Sequence, residues 1–428
     1  MRAPLLLTAA LTLLFAMAPA GQLAARDIPA TAPEKVGMST ERLARITEIT
    51  RKYVDEGKLA GVITMVARHG KLVHFEVVGH RGVDDPAPLT RDALFRIYSM
   101  SKPITAVALM QLYEQGLFQL SDPISKFVPE LADLKVLNGG GELEAAKGPI
   151  TMQQLLTHTA GFSYGFDPND PVDKLYRESA ALGAENLDEF AATLATLPLK
   201  YQPGTRWHYS VAVDVTGLIV QRISGQPFDE YLDEHIFKPL KMVDTSFSVP
   251  DSKFGRFLPN HRWDAKANKL VALGPESISN FQNVTLYSGG GGLVGTAMDY
   301  LRFAEMLRNG GSLDGARILS PRTIEFMTMN HLPASVAGSG SGESPTLAGA
   351  GALRGFGFGL GFGLVTDVPA SGQMGSVGDY YWGGAAGTIF WVDPVEDFVV
   401  VSMLQLMGSP WPLRAELKNA VNQAIIGD

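Results

Sequence analysis

The sequence contains no cysteine among its 428 residues. This absence excludes a disulfide framework, a thiol nucleophile, a cysteine metal site and a lipid-modified N-terminal cysteine. Positive charge is also in deficit, because 36 Lys and Arg stand against 44 Asp and Glu, for a formal net charge of −8. A chain with this balance is a poor partner for nucleic acid or anionic lipid, so we expect neither.

The histidines lack the spacing of a metal site. No HExxH pattern occurs, and the chain has no phosphate-binding P-loop and no dinucleotide motif between a strand and a helix. We interpret His158, in LLTHTAG, as a structural residue, and we expect His208 to border a pocket without acting. The sequence therefore implies no metal and no cofactor.

The N-terminus has the pattern of a secretory signal peptide. Arg2 precedes an apolar, uncharged run from Leu5 to Ala18, and small residues follow up to Ala20. This run is shorter than the roughly 20 residues that a membrane-spanning helix needs, which makes a permanent anchor the weaker interpretation. We expect residues 1–20 to be cleaved after Ala20, leaving a periplasmic or secreted protein with a net charge of about −9 once Arg2 is lost.

Strand and helix patterns divide the rest of the chain. GVITMVARH and KLVHFEVVGH predict a hairpin around Gly70, and TIFWVDP and DFVVVSMLQL predict a second pair of strands near the C-terminus. Helical patterns lie between them and at both ends of the mature chain: Ser39 to Val54, ITAVALMQLYEQ, TMQQLLTH, VAVDVTGLIVQRI, AMDYLRFAEMLRN and PLRAELKNAVNQAI.

This order predicts a mixed α/β fold of two packed units. Residues 21–103 and 334–428 would build one α/β domain from both ends of the chain, with a central antiparallel sheet flanked by helices. Residues 104–333 would form a mainly helical domain, and the active site would lie at the interface of the two. The Gly- and Ser-rich stretch 334–363 is interpreted as a flexible loop.

The pentapeptide Gly161-Phe162-Ser163-Tyr164-Gly165 matches G-x-S-x-G, which carries the nucleophile of many lipases and esterases. In those enzymes the serine stands on a sharp turn between a buried strand and a helix. Here a helical pattern precedes the pentapeptide and Pro- and Asp-rich loop sequence follows it. We therefore do not expect Ser163 to be a nucleophile, and we expect Gly161 to end the preceding helix.

A second serine has a better setting. Ser99-x-x-Lys102 is the only S-x-x-K in the chain and comes just before the helix ITAVALMQLYEQ. Residues three apart share a helix face, so Lys102 can reach the Ser99 hydroxyl, whereas Ser101 points away from its neighbour Lys102. The helix start favours an alkoxide, and desolvation favours a neutral amine. By itself the pattern is also consistent with a serine-capped helix and a surface lysine, and Pro103 disfavours helical geometry at Lys102.

Further stretches occur in a fixed order, namely LLTHTAGF, PGTRWHYS, GGGGLVGTAMDYLRFAEMLRNGG and WGGAAGTIFWVDP. Together with S-x-x-K, the chain from about Pro33 to its C-terminus resembles the serine β-lactamase and penicillin-binding-protein family, and within it class C β-lactamases and family VIII carboxylesterases. The resemblance implies a β-lactamase/transpeptidase-like fold. It also implies Ser99 as nucleophile, Lys102 as its basic partner and Tyr209 as the tyrosine of the Y-x-N motif.

The same resemblance places substrate around the late W-G-G sequence. The backbone N–H groups of Ser99 and Ala385 would form an oxyanion hole, and Gly383 and Gly384 would let substrate approach the strand. Two positions that we expect to bind substrate depart from the family, because Val211 stands at the asparagine of Y-x-N and Trp382 at the lysine of K-T-G. Trp382 cannot hold a carboxylate by charge, so we expect an uncharged ester as substrate.

We interpret the chain as an exported serine carboxylesterase that cleaves short- or medium-chain acyl esters through an acyl-enzyme on Ser99. The substrate would be a small-molecule ester, and the sequence does not indicate an oligomeric state. Two alternatives remain open. The first is a class C-like β-lactamase or a peptidase specific for D-amino acids, and the second is a non-catalytic binding protein of the same fold.

Overall fold

The computed structural model describes residues 26–274, 281–336, 344–346, 349–351 and 354–427. The predicted signal peptide, residues 1–20, lies outside the described residues. The largest sheet in the described part has eight strands: β1 (Gly61–Arg68), β2 (Lys71–Gly82), β3 (Asp85–Pro88), β14 (Phe356–Phe358), β15 (Gly363–Val365), β16 (Tyr380–Gly383), β17 (Ile389–Asp393) and β18 (Phe398–Leu404). All neighbouring strands are antiparallel, and their order is β14-β15-β16-β17-β18-β1-β2-β3.

The helices cover both faces of this sheet and fill the middle of the chain. The α-helices are α1 (Thr40–Asp55), α2 (Ser101–Glu114), α3 (Met152–Leu156), α4 (Pro171–Ser179), α5 (Leu187–Leu194), α6 (Ala212–Ser224), α7 (Phe228–Leu232), α8 (Asp251–Phe254), α9 (Ala297–Arg308), α10 (Pro321–Met327), α11 (Val368–Ser371) and α12 (Leu413–Asn422). A π-helical turn, Asp233–Phe237, follows α7. Single 3₁₀ turns lie at Pro33–Val36, Tyr98–Met100, Ile124–Lys126, Pro129–Leu131 and Ala181–Gly183.

In the described residues, eleven short strands outside the large sheet form four two-stranded sheets and one three-stranded sheet. They are β4 (Phe95–Arg96), β5 (Lys135–Leu137), β6 (Leu143–Ala145), β7 (His261–Asp264), β8 (Lys269–Ala272), β9 (Val294–Gly295), β10 (Ser312–Leu313), β11 (Ala316–Arg317), β12 (Ser344–Thr346), β13 (Gly349–Gly351) and β19 (Leu406–Met407).

The central strands β1, β17 and β18 are buried on both faces of the sheet, which explains why they are almost wholly apolar. Alternate residues of β1 enter different cores: Val62 and Val66 pack with α1 and α12, whereas Ile63 and Met65 belong to the core on the opposite face. Helix α9 covers that opposite face against β18. The β1–β18 pairing joins strands from the two ends of the chain, as the strand pattern predicted. The domain boundaries themselves stay a prediction.

Local sequence accounts for most of the helix starts. Ser39 caps α1 by accepting from the Arg42 N–H, which confirms the predicted start of this helix. Thr151 and Gln154 form a capping box at α3. That helix ends at Leu156, so the expectation that Gly161 ends it is wrong. Gly161 instead has φ 92°, and a Cβ there would lie 2.1 Å from the Tyr201 carbonyl oxygen, which only glycine can tolerate.

The interpretation of residues 334–363 as one flexible loop is also wrong in part. Residues 337–343, 347–348 and 352–353 lie outside the described residues. The last part of the stretch, however, contains β14, whose Phe356 and Phe358 are buried at the edge of the large sheet. The glycines around them obscured this short strand in the sequence. In the described part of the chain, no helix combines the length and the apolar character that crossing a bilayer requires.

Candidate active site

Ser99 lies in the single 3₁₀ turn that leads directly into α2. The preceding Tyr98 has φ 43°, in the left-handed region that bulky residues rarely adopt. Its hydroxyl accepts a hydrogen bond from Asn260 Nδ2 at 3.1 Å. Pro103 is the third residue of α2, where the missing N–H removes no helical hydrogen bond. The S-x-x-K sequence therefore occupies a helix start, as its spacing predicted.

Lys102 is 1% exposed and its amine is surrounded by polar atoms. Nζ donates to the Gly290 carbonyl at 2.6 Å and to the Tyr164 hydroxyl at 2.9 Å, and it lies 3.4 Å from Ser99 Oγ. Burial lowers the pKa of Lys102 to about 7, against the opposing effect of the Asp214 carboxylate. A neutral amine has two N–H bonds and one lone pair. Because Gly290 and Tyr164 accept hydrogen bonds from the two N–H groups, the lone pair of a neutral Lys102 is available to accept the Ser99 proton.

Tyr209 is the nearest hydroxyl to the candidate nucleophile. Its OH donates to Ser99 Oγ at 2.5 Å, and Lys102 Nζ lies 4.5 Å from the centre of its ring. Burial raises the pKa of Tyr209, so a phenolate is disfavoured there. Of the two neighbours of Ser99, Lys102 is therefore the better proton acceptor at neutral pH and Tyr209 the better donor. The structure thus brings the three predicted catalytic side chains together.

Two further residues complete this cluster and were missed by the sequence analysis. The Tyr164 hydroxyl, which accepts from Lys102, donates to Asp214 Oδ2 at 3.1 Å. Asp214, 1% exposed, also accepts from the Gly290 N–H at 3.0 Å and from the Ser288 hydroxyl. A signal existed for Asp214, because it is the one acidic residue in the apolar helical pattern VAVDVTGLIV. An isolated buried carboxylate needs a partner.

Ser163 is buried and belongs to a polar cluster of its own. Its hydroxyl donates to Asp173 Oδ1 and lies 3.3 Å from His208 Nε2. In a catalytic triad the carboxylate accepts a hydrogen bond from the histidine, whereas here Asp173 accepts one from the serine. Burial also lowers the pKa of His208 to about 4. Ser163 thus anchors the turn that carries Tyr164, which is consistent with the prediction that it is no nucleophile.

Ser99 opens onto a cavity of about 220 Å³. The cavity is lined by one nucleophile candidate, an apolar wall, the W-G-G strand end and one arginine: Ser99, Phe166, Tyr209, Tyr381, Trp382, Gly383, Gly384, Ala385, Ile389 and Arg414. A Cβ at Gly384 would lie 2.4 Å from the Ile97 carbonyl oxygen, so glycine is required for the strand to approach the nucleophile turn. The Ala385 N–H makes no backbone hydrogen bond within the described residues and can face an oxyanion.

Trp382 borders the cavity but is only 2% exposed. Its ring packs 5.8 Å from Tyr209 and is stacked 6.4 Å from His158. The buried His158 thus supports the aromatic wall, and burial holds its pKa well below the ordinary value, in keeping with a structural role. Val211, predicted to bind substrate, lies instead at the start of α6 and is 2% exposed in the core. It does not line the cavity because an apolar side chain at this position packs inward.

Ser101 and His208 are likewise placed away from the cavity. The Ser101 hydroxyl is buried and accepts from the Leu293 N–H at 3.1 Å. His208 packs edge-on against Tyr201 and does not border the cavity, contrary to expectation. The described residues contain no group of three His, Asp or Glu placed to hold a metal ion. A larger groove of about 1000 Å³ lies between α1 and α12, but Ser99, Lys102 and Tyr209 do not line it.

Comparison with known proteins gives the family. The Beta-lactamase family profile matches residues 46–424. Protein Rv1367c of Mycobacterium tuberculosis is 37% identical over 363 residues, covering 83% of this chain and 88% of that protein. Esterase EstB of Burkholderia gladioli is 29% identical over 399 residues, covering 88% and 94%.

Among solved structures, that of EstCE1, a hydrolase with promiscuous acyltransferase activity, is similar with a TM-score of 0.75 and 25% identity. The similarity covers 89% of this chain and 99% of that one. The large antiparallel sheet with helices on both faces is the β-lactamase/transpeptidase fold. By its profile match, its relatives and its fold, this chain belongs to the beta-lactamase family.

Proposed function

We propose that this protein is an exported serine carboxylesterase that cleaves short- and medium-chain acyl esters. One observation carries the proposal: Ser99 accepts a hydrogen bond from Tyr209 and lies beside a desolvated Lys102, at the edge of a largely apolar cavity. The names of Esterase EstB and of the hydrolase EstCE1 support ester hydrolysis. The apolar run at the N-terminus supports export.

The first half of the proposed reaction forms the acyl-enzyme on Ser99. The ester carbonyl enters the cavity with its oxygen toward the N–H groups of Ser99 and Ala385. Neutral Lys102 takes the Ser99 proton as Oγ attacks the carbonyl carbon, and the two N–H groups stabilise the negative oxygen that forms. Each such donor is typically worth about 3 to 4 kcal/mol in the transition state.

In the second half of the proposed reaction, the proton that Lys102 took from Ser99 is replaced on the leaving alcohol by way of Tyr209. As the tetrahedral intermediate collapses, the bond to the alcohol oxygen breaks and that oxygen takes a proton from the Tyr209 hydroxyl, which regains one from Lys102. This leaves an acyl-enzyme on Ser99 and a neutral Lys102. A water molecule then attacks the acyl carbon while Lys102 takes its proton, the bond from the acyl carbon to Ser99 Oγ breaks, and Oγ receives the proton from Lys102. The acid departs and the Ser99 hydroxyl is restored.

The experiment that tests the proposal compares two chromogenic substrate classes. Turnover of 4-nitrophenyl esters of increasing chain length is measured beside turnover of a chromogenic cephalosporin, for the wild type and for Ser99→Ala. An ester preference of orders of magnitude that vanishes in Ser99→Ala supports the carboxylesterase. The reverse preference supports a β-lactamase. Absence of both activities, together with no covalent labelling by a fluorophosphonate, supports a binding protein and contradicts the proposal.

A further inference from the structure

The residue before the candidate nucleophile is bulky, yet its backbone has a conformation that glycine adopts more readily. Tyr98 has φ 43°, in the left-handed region, where a Cβ is unfavourable. A residue of this kind persists only when its surroundings hold it in place. Tyr98 does not line the catalytic cavity, so contact with substrate does not explain a tyrosine at this position. The reason for the tyrosine therefore lies in its contacts inside the protein.

The Tyr98 side chain has two such contacts. Its ring packs edge-on against Phe281, with 6.4 Å between the ring centres, and its hydroxyl accepts from Asn260 Nδ2 at 3.1 Å. Asn260 is fully buried, and its Oδ1 accepts from the His261 N–H at 3.0 Å. Because a donor already occupies Oδ1, the amide nitrogen is the atom that faces the Tyr98 hydroxyl. This hydrogen bond ties the tyrosine to a side chain that is itself fixed.

Asn260 is held opposite Tyr98 by the backbone. It lies at the end of a segment, residues 256–260, that forms a parallel bridge with the chain leading to Ser99. The Leu94 N–H donates to a carbonyl oxygen of this segment at 2.9 Å, and the Leu94 carbonyl oxygen accepts from one of its N–H groups at 3.1 Å. The two chains are therefore joined just before they reach Tyr98 and Asn260, so the Asn260 amide has a fixed position from which to hold the hydroxyl.

The conformation of Tyr98 matters for the oxyanion hole. The torsion angles of Tyr98 orient the peptide group that carries the Ser99 N–H. This N–H makes no backbone hydrogen bond within the described residues, so none fixes its direction. Its direction depends on Tyr98 instead. An oxyanion donor is effective only when it is aimed before the reaction begins, because no reorganisation is then needed as the negative charge forms.

We propose that Tyr98 and Asn260 are positioning residues of the oxyanion hole. The hydrogen bond between their side chains holds Tyr98 in the left-handed conformation and thereby aims the Ser99 N–H at the carbonyl oxygen of the ester. This assignment rests on the proposed esterase function, since it concerns the attack of Ser99 on the ester. Neither side chain touches substrate, and both act through the backbone of Ser99.

The test compares an oxygen ester with its thiono ester, in which sulfur replaces the carbonyl oxygen. The pair is 4-nitrophenyl acetate and O-4-nitrophenyl thionoacetate. Sulfur accepts hydrogen bonds only weakly, so the oxygen ester gains more from the oxyanion hole. For each variant, kcat/KM of the oxygen ester is divided by that of the thiono ester, after subtraction of spontaneous hydrolysis. This ratio does not depend on the fraction of folded enzyme, because both esters are cleaved by the same molecules.

Tyr98→Phe and Asn260→Ala each remove one side of the hydrogen bond, and a double variant removes both. One hydrogen bond shifts a conformational equilibrium by roughly two- to tenfold. We expect the ratio to fall by that factor in Tyr98→Phe and at least as far in Asn260→Ala. The double variant should fall no further than Asn260→Ala, because both changes break the same interaction. The pH at which kcat/KM rises should not move, since Lys102 keeps its contacts.

The matched control is Tyr231→Phe, because the Tyr231 hydroxyl is buried and makes no hydrogen bond within the described residues. This variant should leave the ratio unaltered.

A second pair of variants separates backbone conformation from side-chain packing. Tyr98→Ala and Tyr98→Gly both remove the ring and its hydrogen bond. Glycine adopts a positive φ without strain, whereas alanine does not. We therefore expect a higher ratio in Tyr98→Gly than in Tyr98→Ala. A role limited to packing predicts no advantage for glycine.

A ratio that stays constant in Tyr98→Phe and Asn260→Ala while both rates fall together would assign the hydrogen bond to stability alone and overturn the inference. Independent effects that multiply in the double variant would overturn it as well, as would a ratio in Tyr98→Gly no higher than in Tyr98→Ala. Should Asn260→Ala fail to fold, Tyr98→Phe and the glycine and alanine variants decide the matter by the same criteria. Failure of the esterase proposal is distinguishable, because the wild type would then hydrolyse neither ester.

Discussion

Asp214 is expected to set the pH at which this enzyme becomes active. The proposed mechanism needs a neutral Lys102, so kcat/KM should rise with pH through the pKa of Lys102, which burial brings to about 7. The negative charge of Asp214 raises that pKa, against the effect of burial. Replacing Asp214 by Asn removes the charge but keeps the shape of the side chain. The pKa of Lys102 should then fall, and the acid limb of the profile should move to lower pH.

The size of the shift follows from the geometry. Lys102 Nζ and Asp214 Oδ2 are bridged by the Tyr164 hydroxyl over 2.9 and 3.1 Å, so they lie at most about 6 Å apart. At that distance Coulomb's law gives about 0.7 kcal/mol at a dielectric constant of about 80 and about 2.8 kcal/mol at about 20. These energies correspond to about 0.5 to 2 pKa units. The acid limb should move down by an amount in this range.

The assay is the pH dependence of kcat/KM for a neutral 4-nitrophenyl ester between about pH 5 and 9. Asp173→Asn is the matched control, because Asp173 is an equally buried carboxylate that contacts Ser163 and Lys200 instead of the Lys102 cluster. It should destabilise the fold and leave the acid limb in place. An acid limb in Asp214→Asn that stays where it is, or moves to higher pH, would refute the assignment of Lys102 as the base.

Three further outcomes are expected. Ser99→Ala should abolish ester turnover and fluorophosphonate labelling. Ser163→Ala should keep the label and lower the melting temperature, because it leaves the buried Asp173 with one hydrogen bond fewer. A label that peptide mass mapping places on Ser163 would contradict the assignment of Ser99 as nucleophile. Trp382→Lys should lower ester and cephalosporin turnover together and lower the melting temperature, because it buries an ammonium among aromatic rings. A gain of β-lactam turnover in this variant would contradict a packing role for Trp382. Protein recovered from the periplasm or medium should begin at Gly21 by intact mass, and a retained Met1 in a soluble cytoplasmic fraction would count against export.

Local patterns in the sequence were sufficient for the parts of the protein that depend on neighbouring residues. The spacing of Ser99 and Lys102 places them on one face of the 3₁₀ turn and the first turn of α2 that follows it, and no distant contact is needed to see it. The cap at Ser39 and the β1–β2 hairpin are equally local. The strand patterns at both ends also predicted a shared sheet, because apolar strands of this kind need partners on either side.

The tertiary structure alone decided which distant side chains meet around Lys102. Tyr164 and Gly290 lie 62 and 188 positions away along the chain, and no spacing rule connects them to this lysine. Their contacts determine the direction of the Lys102 lone pair, and Asp214 acts on its pKa through the same cluster. A sequence pattern cannot predict the pKa of Lys102, because the pKa of a buried amine depends on its burial and on its distance from charged groups.

The positive charge in the cavity also depends on tertiary packing. From the sequence, Trp382 in place of lysine removes the positive charge, and Arg414 is one of several charged residues in a C-terminal helix. Only the packing of α12 against the end of β16 brings that guanidinium onto Gly383. Short-range geometry in the sequence was thus sufficient to predict the fold and the candidate catalytic pair, Ser99 and Lys102. The electrostatics of the site depend on long-range packing, since Coulomb energies follow distance and desolvation in three dimensions.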